Sequence, residues 1–188
     1  MTRIIGGRAR GRRLVTPKGV GTRPTSDRVR EALFSALESR LGTLSGITFL
    51  DLYAGSGAVG LEAWSRGAQR VTLVESDRRV AATIRSNLAA LDCAGAVELR
   101  VGPVASVLAG TGPAHRVGFS DPPYSLDDDA VRADLTALVR HGWLEPGAML
   151  VVERPVRGAG APWPEGFTGE RERRYGETVL WFGLAPEA

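Results

Sequence analysis

Residues 121–124, Asp-Pro-Pro-Tyr, could hold a flat group that carries an amine. Each proline lacks a backbone N–H and has φ fixed at about −65°. Because the residue before a proline is kept extended, Asp121 and Pro122 are both extended and Tyr124 follows on a stiff support. A carboxylate, a carbonyl and an aromatic ring would then lie side by side. A strand that is merely ended by two prolines is the alternative interpretation.

A second set of candidate residues lies in LDLYAGSGAVGLEA, residues 50–63. Gly55, Gly57 and Gly60 match G-x-G-x-x-G between a predicted strand and a predicted helix, a pattern typical of nucleotide-cofactor folds. Asp51 precedes these glycines at the carboxyl end of the strand. A carboxylate there could accept the ammonium of an amino-acid moiety, whereas beside a pyrophosphate it would be repulsive. A helix N-cap is the alternative role for Asp51.

Glu75 could hold a ribose. It ends the next predicted strand, 20 residues after Gly55. An acid at that place accepts hydrogen bonds from ribose hydroxyls. This role serves a nicotinamide dinucleotide and S-adenosylmethionine equally, so it is Asp51 that favours S-adenosylmethionine.

Hydrophobic periodicity predicts the strands and helices that would position these residues. The predicted strands are 47–52, 70–75, 97–101, 117–120 and 148–153, and the predicted helices are 27–41, 58–66, 78–91, 105–109 and 128–141. This alternation predicts an α/β fold with a parallel sheet covered on both faces. Residues 171–175 and 178–182 predict a terminal antiparallel hairpin, which completes a Rossmann-like sheet of about seven strands.

The predicted topology brings the two candidate sets together. In an open parallel sheet, ligands lie beyond the carboxyl ends of the strands, where the strand order reverses. If the first and fourth strands flank that point, residues 51–57 and 121–124 face one crevice. The Asp-Pro-Pro-Tyr segment could then hold a planar amine against the reactive group of the cofactor.

The first 30 residues are strongly basic. They contain nine basic residues and one acid, a net charge of +8, so that the remainder of the chain carries −5. The basic residues are Arg3, Arg8, Arg10, Arg12, Arg13, Lys18, Arg23, Arg28 and Arg30. Residues 3–15 predict a short hairpin, and such a basic arm is typical of polyanion binding. A solvated basic tail is the alternative.

Length and composition indicate one domain, residues 25–188, preceded by an N-terminal extension, residues 1–24. Cys93 is the single cysteine, so no intrachain disulfide is possible and a reducing cytoplasm is expected. We interpret Cys93 as a buried residue rather than a nucleophile. No cysteine pair or histidine motif predicts a metal site. No apolar run is long enough to predict a membrane span, and we expect a monomer.

The chain resembles the RsmD family, the bacterial 16S rRNA guanine-N2 methyltransferases, within the class I S-adenosylmethionine-dependent methyltransferases. The resemblance covers about residues 3–183. The segments that carry it are RIIGG at 3–7, RGRRL at 10–14, RPTSDRVREALF at 23–34, LDLYAGSGAVGLEAWSRGA at 50–68, LVES at 73–76 and DPPY at 121–124. The basic N-terminus joined to RPTSDRVREALF is its most specific part.

The resemblance implies a role for each candidate residue. Asp51, Gly55 and Gly57 would line the methionine part of S-adenosylmethionine, and Glu75 its ribose. The other cofactor-site candidates are Tyr53, Ala54, Ser76, Gly102 and Pro103. Gly102 and Pro103 stand where such folds often have a polar side chain near the adenine, so we expect a backbone contact there.

The substrate-side roles follow from the same resemblance. Asp121 and the Pro122 carbonyl would accept hydrogen bonds from the guanine amine, and Tyr124 would stack on the base. The N-terminal arginines and Lys18 would contact rRNA phosphates. The small size of this protein favours the assembled small ribosomal subunit as substrate, because the preformed surface of the particle would supply much of the specificity. Free 16S rRNA is the alternative substrate.

Three other functions are compatible with parts of the sequence. A DNA adenine or cytosine amino-methyltransferase would need a target-recognition domain, for which 188 residues leave little room. A nicotinamide-dependent oxidoreductase is compatible with the glycine pattern, although Asp51 argues against it and cofactor binding would decide. A non-catalytic RNA-binding module is disfavoured by the complete Asp-Pro-Pro-Tyr segment.

Overall fold

A seven-stranded sheet runs through the centre of the computed structural model, which describes residues 2–17, 26–157 and 160–187. The strand order of this sheet is β5-β4-β3-β6-β7-β9-β8. Its strands are β3 (Thr48–Leu52), β4 (Arg70–Glu75), β5 (Val97–Val101), β6 (His115–Ser120), β7 (Leu144–Pro155), β8 (Thr168–Tyr175) and β9 (Thr178–Leu184). β3 to β7 pair in parallel, and β9 pairs antiparallel with β7 and with β8.

Helices cover both faces of the sheet. They are α1 (Asp27–Leu41), α2 (Ala58–Ser65), α3 (Arg78–Leu91), α4 (Val104–Leu108) and α5 (Asp128–Arg140). One apolar core includes side chains of α1, α2 and α3, and a second includes side chains of α4 and α5. The predicted fold class is therefore confirmed, including the parallel sheet and the terminal hairpin.

Several predicted boundaries move. β7 begins at Leu144 rather than at 148, and β8 begins at Thr168 rather than at 171. The β8 extension arises from antiparallel pairing with β9, since Thr168 pairs with Leu184, whereas the β7 extension begins where Leu144 pairs in parallel with His115 of β6. Such long-range pairing is invisible to a local pattern of hydrophobic residues. Cys93 is buried, as interpreted from the sequence.

The described part of the N-terminal extension, residues 2–17, forms a small hairpin that packs on α2 and α3. Its strands β1 (Thr2–Arg3) and β2 (Arg13–Leu14) pair antiparallel, which confirms the predicted hairpin. The amides of Ile5 and Gly6 donate to the buried carboxylate of Glu62 at 2.8 and 2.7 Å. The Ala9 amide donates to the Ser65 hydroxyl at 2.9 Å. The hairpin is thus held against the helix that follows the glycines.

Ser26 caps α1 by accepting from the Val29 amide at 3.2 Å. Among the described residues, no helix is long and apolar enough to cross a membrane. The same part of the chain contains no group of three or more His, Cys, Asp or Glu side chains placed to hold a metal ion.

Candidate active site

The carboxyl ends of β3 and β6 place the Asp-Pro-Pro-Tyr segment beside the glycine loop, residues 53–57. Leu52 pairs with Ser120, and the Asp121 amide donates to the Leu52 carbonyl at 3.4 Å. The strand order reverses between β3 and β6, because β4 follows β3 on one side and β7 follows β6 on the other. The two candidate sets therefore meet at the edge where open α/β sheets bind ligands.

Asp51 is a buried carboxylate at this edge, with 1% of its surface exposed. Its Oδ2 accepts from the Gly60 amide at 2.8 Å, so it satisfies one of the unpaired N–H groups at the start of α2. Burial raises the pKa of Asp51 to about 7, a shift that the Gly60 bond opposes and the Glu75 charge reinforces. Oδ1 takes no part in the bond to Gly60. A cationic ligand there would stabilise the ionised carboxylate.

Glu75 holds the glycine loop from the neighbouring strand. Its Oε2 accepts from the Gly55 amide at 2.9 Å and its Oε1 accepts from the Asp77 amide at 2.8 Å. Glu75 ends β4, which pairs with β3, so it lies at the same edge of the sheet as Asp51. Its side chain is half-buried and therefore stays partly accessible. A carboxylate oxygen has more than one lone pair, and the two backbone bonds leave acceptor capacity for hydroxyl groups.

The loop glycines serve different purposes. Gly57 has φ of 79°, a left-handed conformation that favours glycine, and it precedes α2 as the N-cap. A Cβ on Gly60 would lie 2.2 Å from Leu73 Cδ2, so glycine lets α2 pack closely on β4. A Cβ on Gly55 would meet nothing within 4 Å. The outer side of the loop is therefore open, which leaves room for a ligand to approach the backbone closely.

The other cofactor-site candidates lie on the same edge. The Ala54 amide donates to the Val74 carbonyl at 2.9 Å, and the Gly102 amide donates to the Glu75 carbonyl at 2.9 Å. Pro103 is the N-cap of α4, and Ser76 is exposed next to Glu75. These contacts bring the ends of β3, β4 and β5 together along one side of the crevice.

Tyr53 joins the glycine loop to α5. It is a non-glycine residue with φ of 60°, an uncommon conformation for a bulky side chain. Its hydroxyl donates to Oδ2 of the buried Asp134. Burial raises the pKa of Tyr53, and the bond to Asp134 raises it further. Since α5 follows the Asp-Pro-Pro-Tyr segment, this bond connects the two sides of the crevice.

The Asp-Pro-Pro-Tyr segment leaves β6 as a turn. Pro122 is buried, Asp121 is half-buried, and the Leu126 amide donates to the Pro123 carbonyl at 2.9 Å. Tyr124 is 56% exposed. Below the turn, the buried Arg154 donates to the Leu126 carbonyl at 2.8 Å and to Asp128 at 3.1 Å. A buried guanidinium thus supports the turn that presents an open aromatic ring.

The N-terminal basic residues form an exposed surface on the hairpin. Arg3, Arg8, Arg10, Arg12 and Arg13 are all exposed, and Arg28 is exposed on α1. Arg8 lies over the Trp64 ring at 5.3 Å, and Arg12 donates to the Ala90 carbonyl at 2.5 Å. Lys18 and Arg23 lie outside the described residues. The buried Arg30 instead contacts Asp27 at 3.0 Å and Glu62 at 3.8 Å.

Sequence reasoning missed Glu62, Asn87, Asp134 and Arg154, each of which holds part of this arrangement. Asn87 and Asp134 occupy positions on otherwise apolar faces of α3 and α5. A polar residue inside such a stripe was the available signal, because a buried polar group needs a partner. Arg154 offers a similar signal at the end of the apolar run of β7.

Comparisons with known proteins show which family the chain is similar to. A family model described as conserved hypothetical protein 95 matches residues 2–184. The chain is 39% identical over 177 residues to ribosomal RNA small subunit methyltransferase D of Escherichia coli, covering 94% of this chain and 86% of that protein. It is 36% identical over 155 residues to the protein of the same name in Haemophilus influenzae, covering 80% and 77%.

Solved structures share the fold. A methyltransferase structure from Escherichia coli superposes with a TM-score of 0.86 at 36% identity, covering 100% of this chain and 99% of that one. An RNA methyltransferase from Salinibacter ruber, solved with S-adenosyl-L-homocysteine, superposes with a TM-score of 0.66 at 19% identity, covering 88% and 95%. At that identity the second likeness concerns the fold alone.

Proposed function

The chain belongs to the RsmD family of small-subunit rRNA methyltransferases, the family that the conserved hypothetical protein 95 model describes, and on this premise we propose its reaction. It transfers a methyl group from S-adenosylmethionine to the exocyclic N2 amine of a guanine in 16S rRNA. The observation that carries this proposal is the adjacency of Asp121 and Leu52, which sets the Asp-Pro-Pro-Tyr segment beside the glycine loop.

The residues at the sheet edge fit the cofactor. Asp51 offers a buried carboxylate to its ammonium, Glu75 offers oxygen atoms to its ribose, and the open side of Gly55 leaves room for its close approach. When bound, S-adenosylmethionine supplies an electrophilic methyl group on its sulfonium sulfur. Tyr53, Ala54, Ser76, Gly102 and Pro103 complete the proposed cofactor site.

Asp121 and the Pro122 carbonyl act on the amine. An exocyclic guanine amine is a poor nucleophile because its lone pair is delocalised into the ring. Two acceptors that bind its N–H groups favour a more pyramidal nitrogen, whose lone pair is then available. Holding the amine in the productive orientation supplies much of the remaining acceleration.

Tyr124 receives the base. A guanine in folded RNA must leave its stack before its amine reaches Asp121, at a cost of a few kcal/mol. Stacking on an aromatic side chain is worth about 1–3 kcal/mol per base, which offsets part of that cost. The 56% exposure of the Tyr124 side chain suits this role, since the ring is accessible without rearrangement.

The N-terminal extension contacts rRNA phosphates. Arg3, Arg8, Arg10, Arg12, Arg13, Lys18, Arg23 and Arg28 supply the positive charge. Such contacts contribute affinity and orientation but no sequence readout. We therefore assign recognition of the target guanine to the crevice and to the shape of the assembled small subunit, with the protein acting as a cytoplasmic monomer.

The test is methyl transfer from labelled S-adenosylmethionine to small ribosomal subunits that lack the modification, followed by nucleoside digestion and chromatography. Label in N2-methylguanosine is the expected result. Naked 16S rRNA is tested in parallel, and preferential labelling of the particle supports the assembled subunit as substrate. Label in a different nucleoside, or in DNA, would overturn the proposed specificity.

A further inference from the structure

Asn87 bonds both the N-terminal extension and the glycine loop. Its Oδ1 accepts from the Val15 amide at 2.8 Å, and its Nδ2 donates to the Val15 carbonyl at 3.0 Å. The same Nδ2 donates to the Ser56 carbonyl at 3.1 Å. Val15 directly follows β2 of the extension, and Ser56 lies between the first two glycines of the loop. Among the described residues, Asn87 is the one side chain whose hydrogen bonds join these two segments.

The chemistry of its partners fixes the orientation of the Asn87 amide. The Val15 N–H can only donate, so the amide oxygen faces it, while the carbonyls of Val15 and Ser56 can only accept, so the amide nitrogen faces them. Asn87 is 1% exposed, so its own amide group is shielded from water. Loss of the side chain therefore removes all three bonds, and with them the hydrogen-bonded link between the exposed Val15 and the Ser56 carbonyl.

The Ser56–Gly57 peptide is held from two sides. Asn87 binds its carbonyl oxygen, and its N–H donates to the Ala54 carbonyl at 2.8 Å. This peptide lies in the loop that forms the proposed cofactor site, next to the open side of Gly55. Because the Asn87 side chain bonds both Val15 and the Ser56 carbonyl, a displacement of Val15 would move this peptide through a single side chain.

We infer that Asn87 is a positioning residue that couples rRNA binding at the N-terminal extension to cofactor binding at the glycine loop. The inference rests on the proposed function, because it requires the extension to contact rRNA. When rRNA binding restricts the motion of Arg12 and Arg13, it also restricts the motion of Val15. The hydrogen bonds of Asn87 then restrict the Ser56–Gly57 peptide as well. Coupling of this kind is reciprocal, so the cofactor also strengthens rRNA binding.

Val15 is held by Asn87, whereas other residues of the extension are held by α2. The bonds of Glu62 and Ser65 hold residues 5–9 to α2, further from the glycine loop along the helix. Those bonds explain why the hairpin is docked, but they do not reach the loop itself. Asn87 is thus separate from the docking contacts, and its removal should leave the hairpin docked through Glu62 and Ser65.

The test measures the dissociation constant of S-adenosylhomocysteine by equilibrium dialysis, with and without saturating small ribosomal subunits that lack the modification. The wild-type protein is expected to bind S-adenosylhomocysteine at least about fivefold more tightly with the particle present. In Asn87→Ala this ratio should fall to about one. Ser86→Ala, which changes the exposed neighbour on α3, is the matched control and should keep the wild-type ratio.

If Asn87 had a purely structural role, its removal would lower the affinity for S-adenosylhomocysteine equally with and without the particle. The ratio of the two dissociation constants would then stay at the wild-type value, and this result would overturn the inference. Asn87→Asp is the second variant, in case Asn87→Ala does not fold. It keeps the acceptor for the Val15 amide but loses the donor to Ser56, so the ratio should again fall. Particle binding is measured separately by filter binding. A wild-type ratio of one despite tight particle binding overturns the coupling alone, whereas absent particle binding overturns the proposed function.

Discussion

The Gly60 amide and the Asp51 carboxylate form a 2.8 Å hydrogen bond that ties the start of α2 to the end of β3. This bond places the first ionisable group of the crevice in a buried position, while the glycine at position 60 keeps α2 close enough to make it. The Asp51 carboxyl group is therefore already in place before a ligand binds. What ligand binding can change is whether this group is protonated.

Asp51 should make cofactor affinity depend on pH. Because burial raises the pKa of Asp51 to about 7, the carboxyl is largely protonated below that pH and cannot pair with an ammonium. S-adenosylhomocysteine affinity should weaken by about tenfold per pH unit below about 7 and level off above it. Asp51→Asn should bind more weakly and lose this pH dependence. Asp129→Asn, an exposed site on α5, is the control in calorimetric titrations.

Asp51 should also make the free energy of unfolding of the unliganded protein depend on pH, in the opposite direction to cofactor affinity. Its folded-state pKa is raised above the unfolded value, so it stabilises the unliganded fold at low pH, and that stabilisation is lost as pH rises through about 7. Relative to Asp51→Asn, the wild-type free energy of unfolding should therefore decline between about pH 4 and about pH 7. A parallel pH profile for both proteins in urea unfolding would contradict the buried, proton-binding state of Asp51.

Asp121→Ala should separate catalysis from cofactor binding. Asp121 is proposed to accept from the amine in the transition state, and removal of one such positioned group typically costs about 100- to 1,000-fold in turnover. S-adenosylhomocysteine affinity should stay within about twofold of wild type, since Asp51 and Glu75 are untouched. Single-turnover methyl transfer and equilibrium dialysis measure the two quantities. Equal losses in both, or a comparable loss in the control Asp129→Ala, would contradict the assigned role.

The exposed arginines of the hairpin should contribute to affinity through salt-dependent phosphate contacts. Replacing Arg10 and Arg13 by alanine should weaken particle binding and reduce the slope of log affinity against log salt by about one unit for each lost contact. Arg140→Ala, exposed in the last turn of α5, is the matched control and should leave the slope unchanged. A double variant with the wild-type slope would remove the hairpin from the rRNA interface.

Most of the fold and the ends of the crevice could be predicted because their signals are local. Strand-to-helix alternation identified β3 to β7, and the glycines and prolines at the ends of β3 and β6 identified the segments that meet there. β7 and β8 were underestimated because their extra residues depend on pairing with other strands, β6 for the start of β7 and β9 for the start of β8. Local composition does not encode a partner so distant along the chain.

The supporting bonds of the site could not be predicted, because their partners are distant in sequence. Asn87 and Val15 are 72 residues apart, and Tyr53 and Asp134 are 81 residues apart. The apolar faces of α3 and α5 showed only that Asn87 and Asp134 would be buried polar groups. Which backbone or side-chain group satisfies each of them is decided by how the helices pack, and the periodicity of one helix carries no such information.

Tyr53→Phe tests whether the bond across the crevice stabilises the fold. The variant keeps the ring but removes the hydroxyl that donates to Asp134, whose pKa burial already raises. Loss of a partner for a buried carboxylate should lower the free energy of unfolding by about 1–3 kcal/mol at a pH where Asp134 is ionised. Urea unfolding measures this change, and Tyr175→Phe, a half-buried tyrosine of β8, is the control.

The pH dependence of that loss identifies its cause. The Tyr53 hydroxyl lowers the pKa of Asp134, so its removal raises the folded-state pKa further. Because a carboxyl with a raised folded-state pKa makes the fold less stable as pH rises, the deficit of Tyr53→Phe should grow as pH rises through the range in which Asp134 ionises. A deficit that is constant over this range would mean that the phenol contributes through packing alone. In that case the glycine loop and α5 would be joined by apolar contact rather than by the bond between Tyr53 and Asp134.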